Sequence, residues 1–229
     1  MKPKLLSIAE VETIFLESPS SDTAVVFLHG YGANMHDLFP LWELWHQHDF
    51  NWYFPNGVQG LPMGYYEGRS WFSIDLERLE TAIREGRHRE MRGDTPAELH
   101  ETLHRLELFF LELQKKHKRL IIGGFSQGAM CASHLILRPN LNFAGAVLLS
   151  GALLAEDKFP KSAKAIPFYQ SHGSGDPILS LDGAKDLEAK LKSLNFPGSL
   201  HVFRGGHEIP PSVINEVKNF LSQFGPSEK

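Results

Sequence analysis

Gly124-Phe125-Ser126-Gln127-Gly128 sits between two stretches of different character. Arg119-Leu120-Ile121-Ile122-Gly123 before it reads as a short buried strand, and Ala129 to Leu137 after it reads as a helix. A strand, a Gly-x-Ser-x-Gly turn and a helix in that order make a nucleophile elbow. The glycines are required sterically: the turn is so sharp that a side chain at either position would collide with the neighbouring strand or helix. The serine hydroxyl then stands at the start of a helix, where backbone N–H groups favour a developing oxyanion. By composition alone the pattern arises in about one chain of this length in ten, so the flanking elements and the later partners carry the argument.

Outward from the elbow, strand and helix patterns alternate. Residues 5–17 suggest one or two edge strands, and Ala24 to Leu28 is a continuous β-rich run ending at His29-Gly30. Residues 36–48 read as helix, Trp52-Tyr53-Phe54 as strand, and 94–117 as helix opened by Asp94-Thr95-Pro96 as a cap. Beyond the elbow, strands are expected at Phe143 to Leu149, Ala165 to Gln170 and Leu200 to Phe203, and helices at 182–194 and 210–224. The alternation implies an α/β fold in one domain, a mostly parallel sheet covered on both faces, with its ligand site beyond the carboxyl ends of the strands. Residues 56–73 are the one long irregular segment. Their aromatic and glycine content, Tyr65 and Tyr66 included, suits an apolar flap over a pocket.

Composition narrows the function classes. The chain has 229 residues, is 42% hydrophobic and 22% charged, and carries a net charge of −4, so neither disorder nor a basic nucleic-acid footprint is indicated. Its single cysteine, Cys131, cannot form an internal disulfide, which favours a reducing compartment. Lys2 and Lys4 are followed by Glu10 and Glu12, unlike a secretory signal, and the longest apolar stretch, Phe143 to Ala155, is too short to span a bilayer. A cytoplasmic location is expected, with no integral membrane segment; the oligomeric state is left open.

A serine nucleophile needs a base, and the base needs an orienting carboxylate; in this architecture the chain order is serine, acid, histidine. Of the histidines after Ser126, His134 lies within the elbow helix and His201 inside a strand, while His172 abuts a strand end. His207 follows the last strand on a glycine loop before a helix, where a base can reach back over the sheet. Asp176 occupies a turn after a strand, whereas Asp157, Asp182 and Asp186 read as solvated or capping residues. Oxyanion donors are expected from the backbone N–H of Gln127 and of Tyr31, the latter between Gly30 and Gly32. His29 reads as structural and Cys131 as a packed core thiol. His46, His48, His88, His100, His104 and His117 show no convergent metal spacing; His100 and His104, four apart, lack a third ligand and read as a solvated face.

Leu28-His29-Gly30-Tyr31-Gly32, Ser70-Trp71-Phe72, Gly124 to Ala129, His172-Gly173-x-x-Asp176 and Gly206 to Pro210 together resemble the α/β-hydrolase family of carboxylesterases, lysophospholipases and acyl-protein thioesterases. The likeness spans nearly the whole chain. It implies an α/β-hydrolase fold, a Ser126–Asp176–His207 triad, Tyr31 and Gln127 as oxyanion donors, Trp71 and Phe72 near the acyl pocket, and no metal or organic cofactor. Three departures bear on the pocket mouth: Ala33-Asn34 where an acid is common, Ser73 where aspartate often follows Trp-Phe, and Ser180 where proline is common. The charged stretch from Glu77 to Arg92 reads as a solvated helix.

The expected activity is hydrolysis of small to medium acyl esters through an acyl-enzyme. An alternative is thioesterase or lysophospholipase action on long acyl chains, which needs an elongated groove under residues 56–73. From a different class comes a catalytically idle binding module on the same fold, which would not require all three triad residues. A nucleotide site is disfavoured, since Gly-x-Gly-x-x-Gly is not met near the elbow.

Overall fold

The computed structural model describes residues 2–45, 49–63, 66–88 and 91–225. Among them, eight strands form one sheet in the order β1 (Lys4–Ile8), β2 (Val11–Leu16), β4 (Asn51–Pro55), β3 (Thr23–Leu28), β7 (Arg119–Phe125), β8 (Gly145–Leu149), β9 (Phe168–Gly173), β10 (Gly198–Phe203). β1, β2 and β4 pair antiparallel at one edge, and all pairings from β4 to β10 are parallel.

The two faces follow from strand periodicity. In β3, Val25 and Phe27 join a core with Trp45 of α1 (Trp42–Trp45) and with Val213, Val217 and Leu221 of α6 (Pro211–Ser222). Ala24, Val26 and Leu28 face the other way, into a core built with α3 (Leu99–Gln114), α4 (Gln127–Leu135) and α5 (Leu181–Ser193). All of β3 is buried, as expected of a parallel strand covered on both sides. Each fully buried Val, Leu or Phe contributes about 1.5–3 kcal/mol of transfer free energy to holding these layers.

Several element boundaries differ from the sequence expectation. Within 36–48 a 3₁₀ turn at Phe39–Leu41 precedes α1, and residues 46–48 lie outside the described residues. Pro40 supplies no N–H, so a longer helix across it would lose a bond. α3 starts at Leu99, because Pro96 to Leu99 forms a turn (Leu99 N–H to Pro96 O, 3.1 Å), while the Asp94 carboxylate reaches Arg78. β9 begins three residues later than expected and runs through His172-Gly173; it lies between two strands, and Pro167 has no N–H for a ladder on either side.

The largest departure is residues 56–73. They are not irregular: β5 (Gln59–Met63) and β6 (Tyr66–Ser70) pair antiparallel in a separate two-stranded sheet. A further helix, α2 (Leu76–Arg84), follows within the charged stretch.

Candidate active site

Ser126 stands between β7 and α4 with φ 55° and ψ −117°, a conformation costing roughly 1–3 kcal/mol that neighbouring structure must impose. The close approach of β7 to α4 imposes it. A Cβ on Gly124 would lie 2.3 Å from the Gly128 carbonyl carbon, and one on Gly128 would lie 2.1 Å from Leu28 O. The Ser126 N–H donates to Leu149 O at 2.8 Å, fastening the turn to β8. Ser126 holds the N-cap position of α4 without a side-chain capping bond, and the Gln127 N–H, in the first turn, has no intrahelical acceptor.

Asp176 follows β9 in a turn stitched to the loop after β10. Ser174 N–H donates to Phe203 O (2.8 Å) and Gly175 N–H to Gly205 O (2.9 Å). That loop carries His207. The His207 Nδ1–H donates to Asp176 Oδ2 at 2.6 Å, which leaves Nε2 unprotonated in the neutral ring. Asp176 Oδ1 accepts from the N–H groups of Ile178 (2.8 Å) and Leu179 (3.0 Å). Burial alone would raise the Asp176 pKa, but the bonds from His207 and the two backbone N–H groups outweigh it and hold the carboxyl below its usual value. The ring of His207 packs 4.9 Å from that of Phe125, beside the serine.

The backbone around Tyr31 is set by His29. The buried His29 ring donates through Nδ1 to Gly30 O (2.7 Å) and accepts at Nε2 from Gly57 N–H (2.8 Å). Burial pushes its pKa down to about 4, so it stays neutral. Because the peptide is planar and trans, a Gly30 carbonyl directed at His29 turns the Tyr31 N–H the opposite way. Among the described residues that N–H has no hydrogen-bond partner. Gly32, at φ 81°, then lays the loop alongside β6: Gly32 N–H donates to Arg69 O (2.9 Å) and Arg69 N–H to Ala33 O (2.7 Å). The β5–β6 hairpin therefore braces this loop by backbone bonds.

Trp71 and Phe72, expected near the acyl pocket, stand directly behind Gln127 of the cavity lining. Both are fully buried scaffold. The Gln127 side chain accepts from Trp71 N–H (2.8 Å) and donates to Phe72 O (2.7 Å), and the Trp71 indole N–H donates to His29 O (2.8 Å). These bonds tie the elbow, the Tyr31 loop and the 71–72 segment into one unit. Tyr65 lies outside the described residues; Tyr66 opens β6, and its side chain lies outside them too.

Ser126, Gln127, Tyr31 and His207 line one cavity of about 250 Å³, with Asp176 behind His207. Its remaining walls are apolar: Ile74, Leu79, Met91, Met130, Ile178 and Leu179. Among the described residues none of 56–73 lines it, and the wall on that side is made by Ile74, Leu79 and Met91. The sequence signal for that wall is Leu76, Leu79 and Ala82, three apart within charged residues. His88 fastens the far end of this segment by donating from Nε2 to Asp176 O at 2.7 Å.

The remaining candidates serve structure. His134 donates from Nε2 to Leu154 O (3.0 Å), and the fully buried Cys131 thiol is pushed well above its ordinary pKa. Ser73 donates to Glu98 Oε2 (2.8 Å), so an acid approaches that position through space. Ser180 caps α5 by accepting from Gly183 N–H (3.0 Å). Among the described residues no group of three His, Cys, Asp or Glu side chains is placed to hold a metal ion.

Fold and site together define an α/β-hydrolase built around a nucleophile elbow. The chain belongs to the phospholipase/carboxylesterase family, whose model matches residues 9–224. That is a family of serine hydrolases acting on acyl esters. The chain is 30% identical over 116 residues to a mouse protein named lysophospholipase-like protein 1, covering 48% of each chain. It is 26% identical over 224 residues to acyl-protein thioesterase 1 homolog 1 of Dictyostelium discoideum, covering 92% of this chain and 94% of the relative. The aligned region spans about half the length of the mouse relative and of two fungal acyl-protein thioesterases. The crystal structure of a carboxylesterase from Mesorhizobium loti superposes with a TM-score of 0.77 at 21% identity, covering 96% of this chain and 98% of that one, a likeness of fold.

Proposed function

We propose that this protein hydrolyses carboxylic esters with small to medium acyl groups through an acyl-enzyme on Ser126. The observation that carries the reading is the 2.6 Å His207–Asp176 pair beside Ser126 in an apolar cavity of about 250 Å³. His207 Nε2 takes the Ser126 proton as Oγ attacks the acyl carbonyl. The N–H groups of Tyr31 and Gln127 hold the oxyanion, and Asp176 fixes the Nδ1–H tautomer and stabilises the imidazolium. The imidazolium protonates the leaving alcohol, and water repeats the sequence to release the acid. Every step is carried by side chains and backbone of this chain.

The cavity size favours short acyl groups, since pockets that enclose larger ligands run to about 300–1,000 Å³. The relatives named acyl-protein thioesterase and lysophospholipase-like support the neighbouring reading, long acyl chains on sulfur or oxygen. In that case the chain must pass Leu79 and Met91.

The test is turnover of p-nitrophenyl esters from acetate to palmitate, and of the matching acyl thioesters, with Ser126→Ala beside wild type. Serine-dependent turnover falling with length supports the proposal. Turnover rising with length, or confined to thioesters, supports the alternative. Absence of serine-dependent turnover in folded protein leaves the fold as a binding module.

A further inference from the structure

We propose that a second cavity, remote from Ser126, binds a fatty carboxylate: a monoanionic head on an aliphatic body of medium length. The cavity measures about 420 Å³, larger than the one at the elbow, and shares no lining residue with it. It lies between the 95–103 stretch that opens α3, the end of α4 with the turn after it, and the 158–160 segment. Its volume falls in the range of ordinary small-molecule sites.

The chemistry of the lining selects the ligand. The floor is aliphatic, made by the buried Leu99, Leu103 and Leu137. His134 completes it as a neutral ring, since burial lowers its pKa to about 4 and its Nε2–H is committed to Leu154 O. Arg138 and Lys158 stand at the mouth, and no aspartate or glutamate lines the cavity, although acids outnumber bases in the chain, 27 to 23.

The two cations are not equivalent. Lys158 pairs with Asp157 at 2.7 Å on the open surface, so its charge is largely compensated. Arg138 is half-buried and makes no ion pair among the described residues. One uncompensated guanidinium beside an aliphatic floor matches a single carboxylate, which it can bind through two N–H groups, better than a phosphate dianion. Burying the chain against the three leucines adds about 0.8 kcal/mol per methylene. Arg138 also lies just past the C-terminus of α4, where a cation complements the helix dipole; that role needs no ligand, and the experiment separates the two.

The experiment is a titration of the methyl-labelled protein with octanoate, read by NMR. The methyls of Leu99, Leu103 and Leu137 report this cavity, and those of Ile74, Leu79 and Ile178 report the elbow cavity. Expected are saturable shifts at the first set, binding about tenfold or more weaker in Arg138→Gln, and a similar loss when octanol replaces octanoate. Ala97→Trp, a rim substitution that fills the mouth, should abolish the shifts. The methyl spectrum shows whether each variant is folded, and the octanol arm needs no variant. Shifts confined to the elbow set, equal affinity for octanoate and octanol, or no saturable shift would overturn the proposal.

Discussion

His172 and Asp176 are packed against each other beneath the His207 pair, with His172 Nε2 3.4 Å from Asp176 Oδ2 and both side chains buried. The same Nε2–H donates to Leu179 O at 3.0 Å. Burial lowers the His172 pKa, against smaller opposing contributions from nearby carbonyls and Asp176. The ring is therefore a neutral dipole against the carboxylate: it supports the Oδ2 that serves His207 without neutralising it.

A positioning role of this kind should appear in turnover and not in binding. His172→Phe removes the dipole and leaves Leu179 O unpaired. We expect kcat for p-nitrophenyl butyrate to fall about tenfold or more, with KM within about twofold, from loss of a charge-assisted contact. His172→Gln, which keeps a donor, should restore part of the loss. A parallel rise in KM, or equal damage from both variants, would mean that His172 only fills space.

Two other histidines predict how stability depends on pH. His29 and His134 are buried with pKa values lowered to about 4. The unfolded chain binds their protons near pH 6.5, while the native protein resists them until about pH 4. The unfolded state thus holds more protons between those values, and native stability falls as pH falls through the window. The slope is about 1.4 kcal/mol per pH unit for each histidine. Urea midpoints measured from pH 7 to pH 4.5 should decline. The decline should be shallower in His134→Gln, which keeps a donor for Leu154 O but cannot titrate.

How far such features were legible depends on how local their cause is. The elbow could be read because its glycines answer to backbone a few residues away or on an adjacent strand: Gly124 against Gly128, Gly128 against Leu28. The nearness of Asp176 and His207 follows from local patterns, since each lies in the loop after a strand, Asp176 after β9 and His207 after β10. The β5–β6 hairpin could not, because it braces residues 32–33 through backbone bonds that leave no side-chain signature. What holds Trp71 could not be read either, because its indole N–H is satisfied by His29 O, a partner far along the chain. The actual wall escaped notice because Ile74, Leu79 and Met91 are scattered among charges, and gather only against Met130 and Ile178.

The strain at Ser126 makes a prediction with opposite signs for stability and activity. At φ 55° and ψ −117° a residue with a Cβ is held out of its preferred region. Ser126→Ala keeps the Cβ and hence the strain, whereas Ser126→Gly relieves it at the cost of a more flexible unfolded chain. The glycine variant should be the more stable of the two by about 1 kcal/mol in urea unfolding, with turnover abolished in both. Equal stability, or a less stable glycine variant, would show that the elbow stores no conformational energy.

The acyl-length preference should be set from α2 and Met91. None of the described α2 side chains belongs to either core cluster, yet Leu79 forms part of the cavity wall. Leu79, on a helix outside both clusters, can change its bulk at little cost to the fold, whereas Met91 and Met130 both pack into the core, so a change at either costs stability as well. Leu79→Ala should lengthen the cavity and raise the ratio of octanoate to butyrate ester turnover; Met91→Trp should shorten it and lower the ratio. Each methylene gained or lost from apolar contact is worth about 0.8 kcal/mol, or roughly fourfold in kcat/KM. The ratio is the proper readout, because damage to Ser126, Asp176 or His207 lowers both rates together and cancels. If neither substitution moves the ratio, the acyl chain does not run along this wall, and the alcohol side of the ester becomes the group that Leu79 and Met91 contact.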